Sequence, residues 1–197
     1  ARQMVAWSYG DIVASYRGGD SRDTGVRAEI STQSIIAIKG SIDYFGNKKI
    51  DKVFYLPHGI DVEYFSKSAD FDIDAAKGDH SKSILFCGVL ETPTNIDAVT
   101  YFYREVYPLI QSQIPDVTFH MVGKNPSHKL SNMVSSDKSV KIFASVADVR
   151  PFYSRCKIGI APMRVAAGLQ NKILTAMSME LPMVCSSIAN EGINAED

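Results

Sequence analysis

Short apolar runs and amphipathic segments alternate along the chain after Ser83, and this alternation is the clearest structural signal in the sequence. Apolar runs predict strands at 84–88, 117–122, 140–143 and 158–161, with a further one that ends at Val184. Helical spacing of apolar residues predicts helices over 95–113, 129–134 and 148–156, and a last one that carries Ile173, Leu174, Met177 and Met179. Strands that alternate with helices predict an α/β fold, with a Rossmann-like parallel sheet joined by right-handed crossovers.

The residues before this alternation give weaker signals. Two strands and a helical turn are predicted there, at Ser34–Ile38, Val53–Leu56 and Gly40–Phe45. Pro57 closes the second of these strands, and the charged stretch from Asp61 to Ser83 has the composition of a connection between domains. We therefore predict two domains, residues 1–56 and residues 57–197, of which the second is Rossmann-like.

Composition and charge exclude several classes of partner. With 21 basic and 22 acidic residues the formal net charge is -1, so no broad basic surface is expected to attract nucleic acid. No apolar segment approaches the ~20 residues of a membrane-spanning helix, and the first twenty or so residues lack the apolar core of a signal peptide. Cys87, Cys156 and Cys185 are widely spaced in apolar sequence, which favours buried thiols over a disulfide. These features predict a cytoplasmic protein.

The loop from Pro162 to Gln170 is the first candidate for a binding site. It follows a predicted strand directly, and ligands of an open parallel sheet bind outside the carboxyl ends of the strands. Three further candidates are expected at the same edge of the sheet, namely Gly88, Lys124 and Lys172. A glycine there lets a ligand approach the backbone, although it also serves in tight turns. Two cations and a helix N-terminus suit a diphosphate, although a single lysine is more often a solvated surface residue.

Motifs for other kinds of chemistry are missing from the sequence. There is neither a G-x-G-x-x-G dinucleotide fingerprint nor a G-x-x-x-x-G-K-[ST] phosphate loop. The four histidines show no metal-ligand spacing, so neither a metal nor another cofactor is expected. No pair of carboxylates is evident for acid/base work, and the catalytic residues are therefore not predicted.

Five segments form one collinear series: LPHGIDVEYF (56–65), ILFCGVLETPTNIDAVTYFYREVYPLI (84–110), VTFHMVGKNP (117–126), VADVRPFYSRCKIGIAPMRVAAGLQNKILTAMSMELPMV (146–184) and EGI (191–193). Together they resemble the donor-binding half of bacterial glycosyltransferases with the GT-B architecture. The series is most similar to retaining, nucleotide-sugar-dependent enzymes that build cell-surface polysaccharide. The resemblance implies that residues 1–56 are the remnant of an N-terminal, acceptor-side domain together with the hinge.

The resemblance also assigns a donor site. The segment that holds the diphosphate and the donor sugar corresponds to Arg164, Gly168, Gln170, Asn171 and Lys172, with Lys124 at a basic position after the second strand. Backbone groups at Ser145 and Val146 correspond to those that meet the nucleotide base. Where many members carry two glutamates eight positions apart, the second of which binds ribose, this chain has Ala167 and Thr175, and Val89 replaces the usual arginine after the first strand.

The activity that the resemblance implies is transfer of a sugar from a nucleoside diphosphate sugar to a saccharide or lipid-linked acceptor. Positive groups, with no metal, would stabilise the departing nucleoside diphosphate. The chain is expected to be part of a longer enzyme and inactive alone, with any peripheral membrane contact made by the missing N-terminal part. Two alternatives remain: a non-catalytic nucleotide-sugar-binding or interaction domain, and a sugar epimerase of the same architecture, for which no carboxylate set is evident.

Overall fold

The structure is a computed structural model that describes residues 59–76, 80–166 and 169–193, together with the backbone of four short strands before them. The chain divides into two compact units, residues 1–58 and 59–197, which are described separately. In the first unit β1 (Met4–Val5) pairs antiparallel with β2 (Ser15–Tyr16), and β3 (Ile35–Ala37) pairs parallel with β4 (Val53–Tyr55). Strands β3 and β4 match the two that were predicted, whereas the predicted turn at 40–45 lies outside the described residues.

The described part of the second unit contains a sheet of five parallel strands. They are β5 (Ser83–Cys87), β6 (Thr118–Gly123), β7 (Val140–Ala144), β8 (Ile158–Ala161) and β9 (Met183–Cys185). Their order across the sheet is β7-β6-β5-β8-β9, so the winding direction reverses between β5 and β8. This order confirms the predicted Rossmann-like α/β fold, and the reversal marks the crevice where such sheets bind ligands.

Helices connect these strands at nearly the predicted positions. They are α1 (Pro93–Tyr101), a π-helical segment (Phe102–Val106), α2 (Tyr107–Gln113), α3 (His128–Val134), α4 (Arg150–Arg155), α5 (Asn171–Ser178) and α6 (Ser187–Asn190). The predicted start of the long helix was wrong by two residues, because Pro93 opens α1 and Asn95 lies inside its first turn. Proline is tolerated at that position because its missing N–H would have no intrahelical partner.

The π-helical segment explains how the long helix keeps Phe102 and Tyr107 on one face. The N–H of Tyr107 donates to the carbonyl of Phe102, five residues earlier, just before Pro108 removes the next backbone donor. This wider turn brings Phe102 and Tyr107 onto the same side of the helix. Both are buried and lie against Phe119 of β6, with ring centroids 4.9 and 5.7 Å apart.

Two apolar cores cover the two faces of the sheet, because successive strand residues point to opposite sides. Phe86 and Met121 face α1 and α2 on one side, whereas Leu85 and Val122 face α4 and α5 on the other. The three cysteines carry free thiols, with Cys156 buried and the other two half-buried. Among the described residues no helix is both long enough and apolar enough to cross a bilayer.

Candidate functional site

Gly88 and Lys172 meet at the point where the sheet reverses its winding direction. Gly88 directly follows β5, and Lys172 lies in the first turn of α5, after the loop that leaves β8. A Cβ atom placed on Gly88 would lie 3.5 Å from Cε of Lys172 and 3.0 Å from Nδ2 of Asn95. The missing side chain of Gly88 therefore makes room for Asn95 and Lys172 at this edge.

The ammonium group of Lys172 is held by neutral acceptors. Its Nζ donates to Oδ1 of Asn95 at 3.2 Å and to Oε1 of Gln170 at 3.3 Å, with Sδ of Met163 at 3.8 Å. It also lies 5.3 Å from the ring centroid of Phe86. No ion pair of the described residues includes Lys172. Burial lowers the pKa of Lys172, and the nearby Cys87 acts in the opposite direction. A positive charge without a carboxylate partner is well suited to receive an anion.

The N-terminus of α5 adds further donors to this edge. Helix α5 begins at the exposed Asn171, and Gln170 precedes it without a side-chain cap hydrogen bond. The first N–H groups of a helix lack intrahelical acceptors and carry part of the positive end of its dipole. Lys172 therefore lies beside a second, independent source of positive potential.

Strands β6 and β7 continue the same edge. A Cβ atom on Gly123 would overlap the carbonyl oxygen of Gly88, so the two glycines allow β5 and β6 to end in close contact. Ser145 is exposed, has a left-handed backbone (φ 53°), and donates its N–H to the carbonyl of Gly123 at 2.8 Å. Lys124 is exposed beside Gly123, whereas Val146 is half-buried and packs against the core. These residues lie along the predicted edge. None of the hydrogen bonds described for the Lys172 ammonium group joins it to them.

Arg164 is turned towards helix α1 in this structure. Its Nε donates to Oδ2 of Asp97 at 2.9 Å, a second bond joins its Nη2 to Oδ1, and its guanidinium lies 5.2 Å from the ring centroid of Tyr101. The hydrogen bonds from Arg164 hold the pKa of Asp97 below its usual value. A mainly apolar cavity of about 390 Å³ opens beside Arg164, but Lys172 is not part of its lining, so we do not assign it to a diphosphate. Gly168 and Ala167 lie outside the described residues.

Thr175 points into the core, although the resemblance aligns it with a ribose-binding residue. It is 7% exposed, and its hydroxyl contacts the hydroxyl of the buried Tyr153. The predicted apolar face of α5 was partly wrong, because Met177 is 54% exposed whereas Thr175 and Ala176 are buried. The role of Thr175 in donor binding stays a prediction, and its side chain does not face solvent in this structure.

The fold brings together three potential metal ligands that the sequence spacing does not reveal. Sγ of Cys156 lies 3.7 Å from Nδ1 of His80 and 3.9 Å from Nδ1 of His120, and all three residues are buried. Burial lowers the pKa of His120 to about 4 and raises that of Cys156 to about 11. Nε2 of His120 also contacts Oγ1 of Thr118 at 3.1 Å. Structural zinc takes four ligands and the described residues supply three, so we interpret the cluster as hydrogen-bonded core.

The prediction of no metal also assumed that the chain has no Asp-x-Asp motif, and this premise was wrong, because Asp70, Asp72 and Asp74 alternate along the sequence. Asp72 caps a 3₁₀ turn by accepting from the N–H of Asp74 at 3.0 Å, and Asp74 pairs with Arg155 at 3.3 Å. Arg155 ends α4 just before β8 begins, which is the amino edge of the sheet. The turn is therefore at the opposite edge from Lys172.

The strand order of this parallel sheet defines a Rossmann-like domain. A glycine, a cation and a helix N-terminus meet at the carboxyl edge of the strands, which is the edge where such a domain would be expected to bind a ligand. Residues 81–196, more than half of the chain, match the model of the glycosyl transferases group 1 family, and the chain belongs to that family. This match confirms the family resemblance seen in the sequence.

This chain spans less than half of the length of each of the three similar proteins described next. An uncharacterized 44.6 kDa protein in the cps region of Klebsiella pneumoniae is 29% identical over 151 residues, which are 73% of this chain and 37% of that protein. TarM of S. aureus superposes with a TM-score of 0.64 at 14% identity, over 84% of this chain and 32% of TarM. HepE of Anabaena, solved with UDP and glucose, gives 0.60 at 17% identity, over 84% and 47%. At these identities the two structures show the fold alone.

Proposed function

We propose that the chain is the donor-binding part of a glycosyltransferase that moves a sugar from a nucleoside diphosphate sugar to a saccharide or lipid-linked acceptor. The observation that carries this proposal is the ammonium group of Lys172. It lies at the reversal point of the sheet, in the first turn of α5, with neutral acceptors only among its described partners. A diphosphate is the group that such a site would bind best.

Charge develops on the departing nucleoside diphosphate as the bond to the sugar breaks. Lys172 and the N–H groups that open α5 would stabilise this charge, since preorganised donors act most strongly where charge appears in the transition state. Gly88 would contribute indirectly, because its missing side chain makes room for Asn95 and Lys172. These groups provide the positive charge without a divalent ion, so we expect donor binding to be independent of metal.

Known relatives support the choice of donor and the cellular setting. HepE was solved with UDP and glucose, and the Klebsiella relative lies in a cps region, which favour a nucleotide-sugar donor and a polysaccharide product. Three free thiols suit a reducing compartment, so a cytoplasmic location is part of the proposal. Retention of anomeric configuration stays a prediction from the resemblance.

Calorimetry of the chain with UDP, GDP and ADP tests the proposal. At least one should bind, and Lys172→Ala should weaken binding by about 1.5 to 3 kcal/mol, the range for a hydrogen bond to a charged group, or roughly 10- to 150-fold. Lys124→Ala should cost less, because Lys124 is exposed. Lys138→Ala is the matched control, since Lys138 is exposed and precedes β7 at the opposite edge of the sheet.

A second measurement tests independence from metal. Addition of EDTA should leave the affinity unchanged. A tenfold loss of nucleotide affinity on addition of EDTA, restored by manganese or magnesium, would contradict this part of the proposal. In the first measurement, equal nucleotide affinity of Lys172→Ala and the parent would contradict the central claim about Lys172.

A further inference from the structure

Asn95 is a buried polar residue whose side chain links the end of β5 to Lys172. It is 9% exposed and lies in the first turn of α1. Its Nδ2 donates to the carbonyl of Val89 at 2.9 Å, and its Oδ1 accepts from Nζ of Lys172 at 3.2 Å. A side-chain amide has one donating and one accepting end, so the bond to Val89 fixes which end faces the lysine.

The Val89 carbonyl is itself held in place. It also accepts from the N–H and the hydroxyl of Thr92, at 3.4 and 3.1 Å. The next residue, Leu90, is buried and donates its N–H to the carbonyl of Lys124 at 2.9 Å. The amide of Asn95 is therefore hydrogen-bonded to the segment that joins the ends of β5 and β6, and this bond orients the oxygen that accepts from the ammonium group of Lys172.

The oxygen of Asn95 that accepts from Lys172 carries no net charge, which leaves the charge of the lysine uncompensated. A carboxylate in the same place would pair with Lys172 and cancel much of the charge that an anion needs. An amide oxygen orients the ammonium group and leaves its charge available. Gly88 takes part in this arrangement, since a Cβ atom there would come within 3.0 Å of the Asn95 amide.

We propose that Asn95 is a positioning residue, which holds the Lys172 ammonium group through a neutral acceptor so that it can bind the diphosphate of the donor. This inference rests on the proposed function. Asn95 acts through Lys172, and it is not expected to touch the donor itself. The sequence places Asn95 at the start of the predicted helix 95–113 and gives no sign of this contact, because Lys172 lies far along the chain.

A double-mutant cycle with UDP, GDP and ADP as the probes tests the proposal. Asn95→Ala should weaken binding of the preferred nucleotide several-fold in the parent, and should cause no further loss in a Lys172→Ala background, because the effect travels through the lysine. A merely structural role would lower affinity equally in both backgrounds, and that result would overturn the proposal.

Asn95→Asp provides a second variant that preserves the shape of the side chain. Its carboxylate should pair with Lys172 but cannot donate to the carbonyl of Val89. Affinity should therefore fall at least tenfold, whereas the new ion pair and the lost hydrogen bond have opposite effects on the melting temperature. Asn132→Asp is the matched control, because the same charge is added at an exposed position of α3. If Asn95→Ala does not fold, Asn95→Asp tests the proposal by itself. Nucleotide binding by Asn95→Asp equal to that of the parent would overturn the proposal.

Failure of the proposed function is distinguishable from failure of this inference. If the parent binds none of the three nucleotides, or if Lys172→Ala binds as well as the parent, both proposals fall. If Lys172→Ala weakens binding and both Asn95 variants bind as the parent does, the donor site stands and Asn95 has no part in positioning.

Discussion

Replacement of Thr175 by glutamate tests the conformation of the candidate site directly. The resemblance to GT-B donor-binding domains aligns Thr175 with a ribose-binding glutamate, so a carboxylate at this position would improve nucleotide binding if the side chain faced the ligand. In this structure Thr175 is 7% exposed and contacts the hydroxyl of Tyr153, which is itself 3% exposed. We therefore expect Thr175→Glu to destabilise the domain without a gain in affinity.

The expected cost has two parts. Forcing a longer side chain into a packed core costs about 1 to 3 kcal/mol. Burying a carboxyl group without a full set of partners adds about 1 to 3 kcal/mol, after it has taken up a proton. A total near 3 kcal/mol would lower the melting temperature by about 10 °C for a unit of this size. Burial raises the pKa of such a carboxyl group, so the stability of the variant relative to the parent should fall as the pH rises above about 4.3.

Thermal unfolding and calorimetry with UDP, GDP and ADP provide the assay. Met177→Glu is the matched control, because Met177 lies on the same helix and is 54% exposed, so it should change stability by less than about 0.5 kcal/mol. A Thr175→Glu protein that melts within about 2 °C of the Met177→Glu control and binds nucleotide tenfold more tightly would refute the reasoning.

Two further predictions concern the glycine contact and the buried histidine. Gly123→Ala should lower the free energy of unfolding by at least about 3 kcal/mol in a denaturant titration, because its Cβ atom would overlap the Gly88 carbonyl. Gly59→Ala is the control and should be tolerated, because a Cβ atom on Gly59 would have nothing within 4 Å. Equal stability of the two variants would contradict this prediction. The pKa of His120 falls from 6.5 to about 4 through burial, with weaker effects of His80 and Lys141. Since the unfolded chain then binds the proton and the folded one does not, stability should fall by about 3 kcal/mol as the pH decreases from 6.5 to 4, and a constant free energy of unfolding over that range would contradict the prediction.

The order of strands and helices could be predicted because each element carries its own local pattern. The apolar run that forms β5 and the amphipathic spacing of α1 and α2 are both visible in the sequence. The position of Lys172 at the edge of the sheet follows from the same pattern, since loops after parallel strands share one edge. The π-helical segment was not predicted, because it depends on how Phe102 and Tyr107 pack against Phe119.

Side-chain partners across the fold could not be predicted in the same way. The contact of His80, His120 and Cys156 joins residues from three separate segments, so no spacing reveals it. The burial of Thr175 was not predicted, because its position one turn after Lys172 suggested that it faces the same cleft, and only the neighbouring Tyr153 shows that it lies in the core. Both depend on the packing of α4 and α5 against the sheet, which is a property of the folded chain.

Arg164 lies in the loop after β8 and Lys172 in the first turn of α5, yet the two cations have different kinds of partner, a carboxylate for Arg164 and neutral acceptors for Lys172. Arg164 has a carboxylate partner in Asp97, but its side chain is 56% exposed, and a surface pair of this kind contributes little to stability because water and salt screen it. An incoming anion could replace Asp97 at little cost. Lys172 is more enclosed, where a carboxylate partner would bind strongly and compete with the ligand. A neutral acceptor such as Asn95 avoids that competition, which is why the enclosed cation is the better candidate for the primary contact with a diphosphate.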